Sequence, residues 1–241
     1  MKKLFYFILI VISIKLYSQT INTIRIDSLI SSIEKNNQDL GSISIFKDGK
    51  EFYKRTFGET NLKSIKQIPN LKYHIGSVSK MITATLILEL RDEKKINLED
   101  KLYNYFPEIP NSKNISIQNL LSHTSGLKNY VTKDNDNFWL QKPVTEREIL
   151  DEIIKQGVAF QPNQNVLYSN SAYYLLVKIL EKEFGLSYDQ LLEKYITKPV
   201  KLQNFASFLN KNYNNVALSY IYDDSWKEID DFYFKKCSWC G

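Results

Sequence analysis

A serine and a lysine three residues apart on a helix share one face, and such a pair can carry out acyl transfer. If the serine opens the helix, the positive end of the macrodipole and the free backbone N–H groups favour a developing oxyanion. The lysine can take the serine proton, provided its neighbours hold its pKa well below the ordinary value of about 10.4. The pattern itself is cheap. With 21 serines and 28 lysines among 241 residues, chance alone produces roughly two or three such pairs. Four are present: Ser32/Lys35, Ser44/Lys47, Ser77/Lys80 and Ser125/Lys128. Ser44/Lys47 lies in an alternating strand pattern, where residues three apart point to opposite faces. Ser32/Lys35 belongs to a polar-faced helix, and Ser125/Lys128 straddles a glycine turn. Only Ser77 stands at a loop-to-helix junction, ahead of the most apolar helix pattern in the chain. The spacing leaves two readings open, a nucleophile with a desolvated base or a plain helix N-cap with a surface lysine.

The elements that must position these residues are readable from periodicity. Ile26, Leu29, Ile30 and Ile33 recur at helical spacing, which predicts an amphipathic helix over Asp27 to Asn36. Ser42 to Phe46 alternates, Asp48-Gly49 is a hairpin turn signal, and Glu51 to Phe57 resumes the strand. A polar loop follows from Glu59 to Lys72. From Ser77, apolar residues run almost all round, the pattern of a central buried helix. Thr145-x-x-Glu148 is a capping box opening a helix that ends at Gly157. A helix from Ser171 to Phe184 ends at Gly185, and Ser187-x-x-Gln190 opens another that stops before Pro199. Val216 to Tyr220 reads as extended chain.

Charge and cysteines narrow the function classes. The formal charge is +5, but three lysines (Lys2, Lys3, Lys15) lie in the first nineteen residues. The remaining 29 basic and 27 acidic residues balance to +2, which offers no electrostatic footprint for nucleic acid. Met1-Lys2-Lys3 followed by the apolar run Leu4 to Ile14 has the form of an export signal, too short to span a bilayer. Residues 1–19 are therefore expected to be a signal peptide, with the protein in the periplasm or outside the cell and no stable membrane span after the signal is removed. Cys237 and Cys240 are the only cysteines, and His74 and His123 the only histidines, so no metal site or cofactor is expected.

Three segments carry a resemblance. Tyr73-His74-Ile75-Gly76-Ser77-Val78-Ser79-Lys80 resembles the nucleophile segment of the class C β-lactamase and D-alanyl-D-alanine carboxypeptidase family of serine hydrolases. Leu120-Leu121-Ser122-His123-Thr124-Ser125-Gly126-Leu127 is similar to that family's helix-to-turn segment, and Tyr168-Ser169-Asn170 to its Tyr-x-Asn motif. The resemblance implies an α/β fold of the α+β type, an antiparallel sheet with flanking helices plus a helical domain. Residues 20–241 would form it: 20–76 the first part of the α/β domain, 77–205 a mainly helical region with the motifs, 206–241 a return toward the sheet. It further implies that Ser77 is the acylated nucleophile, that Lys80 helps deprotonate it, and that Tyr168 passes the proton to the leaving group. Asn170 would bind substrate by orienting its acyl side-chain amide, and the Ser77 N–H would form half of the oxyanion hole. His123 is expected to be a structural turn residue.

The resemblance also has gaps. Asn163 stands where the family commonly has glycine after Pro162; asparagine tolerates the left-handed conformation, so the turn should survive. A Lys-Thr-Gly or His-x-Gly motif downstream of Tyr168 has no counterpart, so the C-terminal strands that line the family's cleft are expected to be missing, as in a truncated chain. The expected function is an exported serine hydrolase acting through an acyl-serine on a D-alanyl peptide, a β-lactam or a small ester or amide. The alternative is a non-catalytic, penicillin-binding-like module that holds cell-wall peptide or a protein partner.

Overall fold

The computed structural model describes residues 22–58, 72–132, 144–203, 205, 216–217 and 219–229. The predicted signal peptide, most of the polar loop after Glu59, and Cys237 and Cys240 lie outside the described residues. The chain gathers into two compact units, one holding residues 22–58 and the other the described residues from Lys72 onward.

The first unit is a helix and a hairpin. Helix α1 spans Thr23–Lys35, beginning four residues before the predicted start because the Asn22 side chain accepts the Arg25 N–H at 3.2 Å and caps it. Strands β1 (Gly41–Lys47) and β2 (Lys50–Phe57) pair antiparallel, with Lys47 opposite Lys50. Asp48 (φ 50°) and Gly49 (φ 74°) both adopt the left-handed conformation that a two-residue hairpin turn of this twist requires. Only Ile30 of the predicted apolar stripe is buried, while Leu29 is exposed. The helix holds β2 largely through polar groups: Arg55 bonds the Asp27 carbonyl, Ser31 Oγ and Glu34, and Tyr53 donates to Asp27 at 2.7 Å.

The second unit is mainly helical. A 3₁₀ turn, Gly76–Val78, leads into α2 (Ser79–Asp92). A second 3₁₀ turn (Leu102–Asn104) and the short α3 (Ile117–Leu121) follow, then α4 (Glu146–Gln156) and α5 (Asn170–Phe184). The chain continues through α6 (Tyr188–Leu192), a π turn (Glu193–Thr197) and the hairpin β3 (Ser219–Asp223)–β4 (Ser225–Ile229). The capping boxes at Thr145/Glu148 and Ser187/Gln190 form as the sequence predicts, and Gly157 (φ 64°) and Gly185 (φ 62°) end α4 and α5.

The buried centre differs from the one the apolar patterns predict. Ala172, Tyr174, Leu175, Leu176, Val177, Ile179 and Leu180 bury every face of α5. In α2, Leu86, Ile87 and Leu90 are buried, but Met81 is 68% and Leu88 37% exposed. An apolar pattern records how much could be buried and not which side the neighbours cover, and α2 keeps one face exposed. The charged residue inside α5, Lys178, is neutralised by Glu146 at 2.7 Å and Glu181 at 2.8 Å. The described strands form two separate two-stranded sheets, one in each unit. Val216 lies beside Lys72 in a parallel bridge, with the Ala217 N–H on the Lys72 carbonyl at 2.7 Å, so the segment predicted as extended runs next to the approach to Ser77.

Candidate active site

Ser77 does not cap α2. It sits exposed in the middle of the 3₁₀ turn, and α2 starts two residues later without a side-chain cap. Lys80, the second residue of α2, is buried, and its ammonium donates to Ser77 Oγ at 3.2 Å. From a strand-like approach to α5, 91 residues further on, Tyr168 brings its hydroxyl to 2.6 Å from the same oxygen. Two proton-carrying groups therefore converge on one hydroxyl, the geometry that a nucleophile with its base requires.

The spacing of Tyr168 and Asn170 follows from the backbone between them. Ser169 is extended (φ −141°, ψ 117°) and fully buried; it caps α5 by accepting the Ala172 N–H at 3.3 Å. In extended chain, neighbours point to opposite faces. With Ser169 turned inward, Tyr168 and Asn170 share the outer face.

The aromatic surroundings set the charges. Lys80 Nζ lies 5.2 Å from the Tyr168 ring centre and 5.7 Å from that of Tyr173, within cation–π range. Burial pushes the Tyr168 phenol up, but its hydrogen bonds to Lys80 and Ser77 and the charge of Lys80 outweigh this, and its pKa falls below the ordinary value of 10.0. Tyr173 goes the other way, raised by burial and then by Tyr168; its hydroxyl is tied to the Leu121 carbonyl at 3.0 Å.

His123 holds this arrangement in place. It takes the left-handed conformation (φ 59°), its carbonyl accepts the Leu167 N–H at 2.9 Å, and its Nδ1 accepts the Ser169 N–H at 3.2 Å. An acceptor on Nδ1 puts the proton of a neutral ring on Nε2. Burial, and then the charge of Lys80, lower its pKa below 6.5, so the neutral form is favoured. The ring rests 4.7 Å from Tyr168 and 5.1 Å from Tyr173, centre to centre.

Two glycine-type positions support the segment. Gly126 (φ 78°) passes so close to the chain at Phe160 that a Cβ would lie 2.1 Å from the Phe160 carbonyl oxygen. Asn163 (φ 68°) does keep the left-handed turn, and its Oδ1 accepts from Asn119 Nδ2 at 2.7 Å and from Thr124 Oγ1 at 3.3 Å. Sequence reasoning passes over the loop after Leu127. The Lys128 carbonyl accepts from Ser169 Oγ at 3.2 Å and Ser171 Oγ at 2.6 Å, and Asn129 Oδ1 accepts from Asn170 Nδ2 at 3.1 Å. Partners 41 residues apart leave no local pattern to read. Among the described residues, no cluster of histidine, cysteine or carboxylate groups could hold a metal ion.

The family model described as Beta-lactamase matches residues 31–213, a stretch that contains Ser77, Lys80, Tyr168 and Asn170. The chain belongs to the β-lactamase family. It is similar to Penicillin-binding protein 4* of Bacillus subtilis (strain 168), 27% identical over 206 residues that cover 83% of this chain and 46% of that protein. It is 32% identical over 196 residues to the teichoic acid D-alanine hydrolase of Staphylococcus aureus, covering 75% of this chain and 47% of that one. The chain thus spans about half the length of the curated relatives it matches. Among solved structures, FmtA from Staphylococcus aureus superposes with a TM-score of 0.70 at 26% identity, covering 87% of this chain and 57% of its own. The D-amino acid amidase of Ochrobactrum anthropi SV3 superposes at 0.72 and 21% identity, over 90% of this chain and 64% of its own, a likeness of fold. The mixed α/β architecture is accordingly the β-lactamase/transpeptidase-like fold.

Proposed function

We propose that this β-lactamase-family chain is an exported serine hydrolase that forms an acyl-enzyme on Ser77 and acts on D-alanyl esters or amides. The observation that carries the reading is the convergence of Tyr168 OH (2.6 Å) and Lys80 Nζ (3.2 Å) on Ser77 Oγ. The relative named as a teichoic acid D-alanine hydrolase supports this substrate class.

In this reading Tyr168 enters as phenolate, held beside the Lys80 ammonium. It takes the Ser77 proton while the Oγ electron pair bonds to the substrate carbonyl carbon, and the carbonyl electrons move onto oxygen. The Ser77 N–H donates to that oxyanion. When the intermediate collapses, the bond to the leaving amine or alkoxide breaks and Tyr168 returns the proton to it. Water then repeats the sequence on the acyl-serine.

A fluorescent fluorophosphonate or penicillin tests the assignment directly. We expect a stoichiometric adduct on the wild-type protein and none on Ser77→Ala. Equal labelling of both would remove Ser77 from the mechanism, and binding of a D-alanyl peptide with no adduct by mass spectrometry would favour a non-catalytic binding module.

A further inference from the structure

Lys80 carries its charge into largely aromatic surroundings. It is buried on the first turn of α2, and among the described residues none of the ion pairs reaches it. Its ammonium meets Ser77 Oγ at 3.2 Å and two tyrosine rings, with centres 5.2 Å (Tyr168) and 5.7 Å (Tyr173) away. A cation taken out of water needs compensation, and the negative face of an aromatic ring supplies it. The other titratable group facing this charge is His123, on the turn after α3, whose pKa is lowered by burial and then by Lys80.

The two tyrosines are not equivalent. Tyr168 touches Ser77 Oγ and trades its proton in the proposed reaction, so it alternates between phenol and phenolate. Tyr173, half-buried on α5, has its phenol raised above 10.0 by burial and then by Tyr168, and it stays neutral. Its hydroxyl donates to the Leu121 carbonyl at 3.0 Å, and its ring rests 5.1 Å from that of His123. A pinned, neutral ring offers the ammonium the same partner at every step.

We propose that Tyr173 is a positioning residue for acylation, its ring the fixed seat that keeps the Lys80 ammonium against Tyr168 and Ser77 Oγ. This rests on the proposed acyl-serine chemistry and adds the group that holds its cation in place. Without the electron density of that ring, the long lysine side chain samples positions away from the phenol. A cation–π contact is worth a factor of roughly 2–30 in such a positional equilibrium. As the charge departs, the pKa of Tyr168 climbs back toward 10.0.

The test is the rate constant for fluorophosphonate labelling from pH 6 to 10 in wild type, Tyr173→Leu and Tyr173→Phe, the last also made with one, three or five ring fluorines. Each fluorine drains electron density from the ring face and changes its shape little. We expect Tyr173→Leu to label about tenfold more slowly, with its pH limb displaced upward. Along the fluorinated series the rate should fall stepwise, by roughly 2–30-fold from none to five. A ring that serves only as packing would give a flat series. Should Tyr173→Leu fail to fold, the fluorinated series carries the test by itself. The seat is also read without chemistry, by proton NMR. The two rings should move the Lys80 ε-methylene resonance upfield of the other lysines, and Tyr173→Leu should return it part-way. A flat fluorine series, an unmoved limb, or a Lys80 resonance indistinguishable from the rest overturns the inference. No adduct on wild-type Ser77, with the upfield resonance present and reduced in Tyr173→Leu, strikes the acyl-serine reading and leaves the seat standing.

Discussion

Replacing Tyr168 by phenylalanine removes one oxygen and keeps the ring. That ring would remain against His123 at 4.7 Å and Lys80 at 5.2 Å, so the packing that shapes the site persists. What disappears is the 2.6 Å hydrogen bond to Ser77 Oγ and the group that we propose shuttles its proton. A positioned general base contributes typically 10²–10⁴-fold, or about 2.7–5.5 kcal/mol of barrier. Tyr168 is 47% exposed, so loss of its hydrogen bond should cost stability no more than about 1 kcal/mol. Acylation and folding are therefore separable. The assay is the second-order rate constant for fluorophosphonate labelling from pH 6 to 10, with thermal unfolding run in parallel. Because the deprotonated phenol is the active form and its pKa lies below 10.0, the wild-type rate should rise with pH and level off below that value. Tyr168→Phe should lower the rate by about 10²–10⁴ and lose this limb. A loss under about tenfold with the limb intact would refute the reasoning and leave Lys80, 3.2 Å from Oγ, as the base.

Two further outcomes follow from the segment that supports the site. Gly126→Ala forces a side chain into a left-handed conformation and toward the Phe160 carbonyl, breaking the 2.8 Å bond from the Ala159 N–H to the Gly126 carbonyl. The cost should be on the order of 3 kcal/mol, a fall of roughly 6–12 °C in Tm by calorimetry; a shift under about 2 °C would contradict the close approach. His123 has a folded-state pKa below 6.5, so the unfolded chain binds more protons as the pH falls through that value. The stability it contributes should be fully present above pH 6.5 and decline as the pH drops toward the folded value. Thermal unfolding at pH 7.5 and 5.5 should therefore show a drop that shrinks in His123→Gln, and an unchanged drop would remove His123 as its source.

The residues of the candidate site are legible in the sequence, but the geometry behind their roles is not. Junction context singles out Ser77 while leaving an N-cap role open, and the residue sits instead in a 3₁₀ turn ahead of α2. Helix boundaries are readable where a local device decides them, as with the Thr145 and Ser187 capping boxes and the glycines at 157 and 185. At the start of α1 the apolar stripe places the boundary four residues late, because the capping asparagine precedes the first periodic apolar residue.

Chemistry between chain neighbours accounts for the hairpin turn at Asp48-Gly49, the helix caps and the left-handed turn at Asn163, and the motif trio that marks the family is likewise written in short segments. Such features can be read along the chain because turn chemistry and helix capping act over three or four residues. Tertiary packing alone settles what depends on residues that meet across the fold. It leaves Met81 and Leu88 of α2 exposed, draws Tyr168 across 91 residues to Ser77, and sets Asn129 against Asn170 across 41. A hydrogen bond selects its partner by distance and direction in space, and periodicity along the chain carries no record of either.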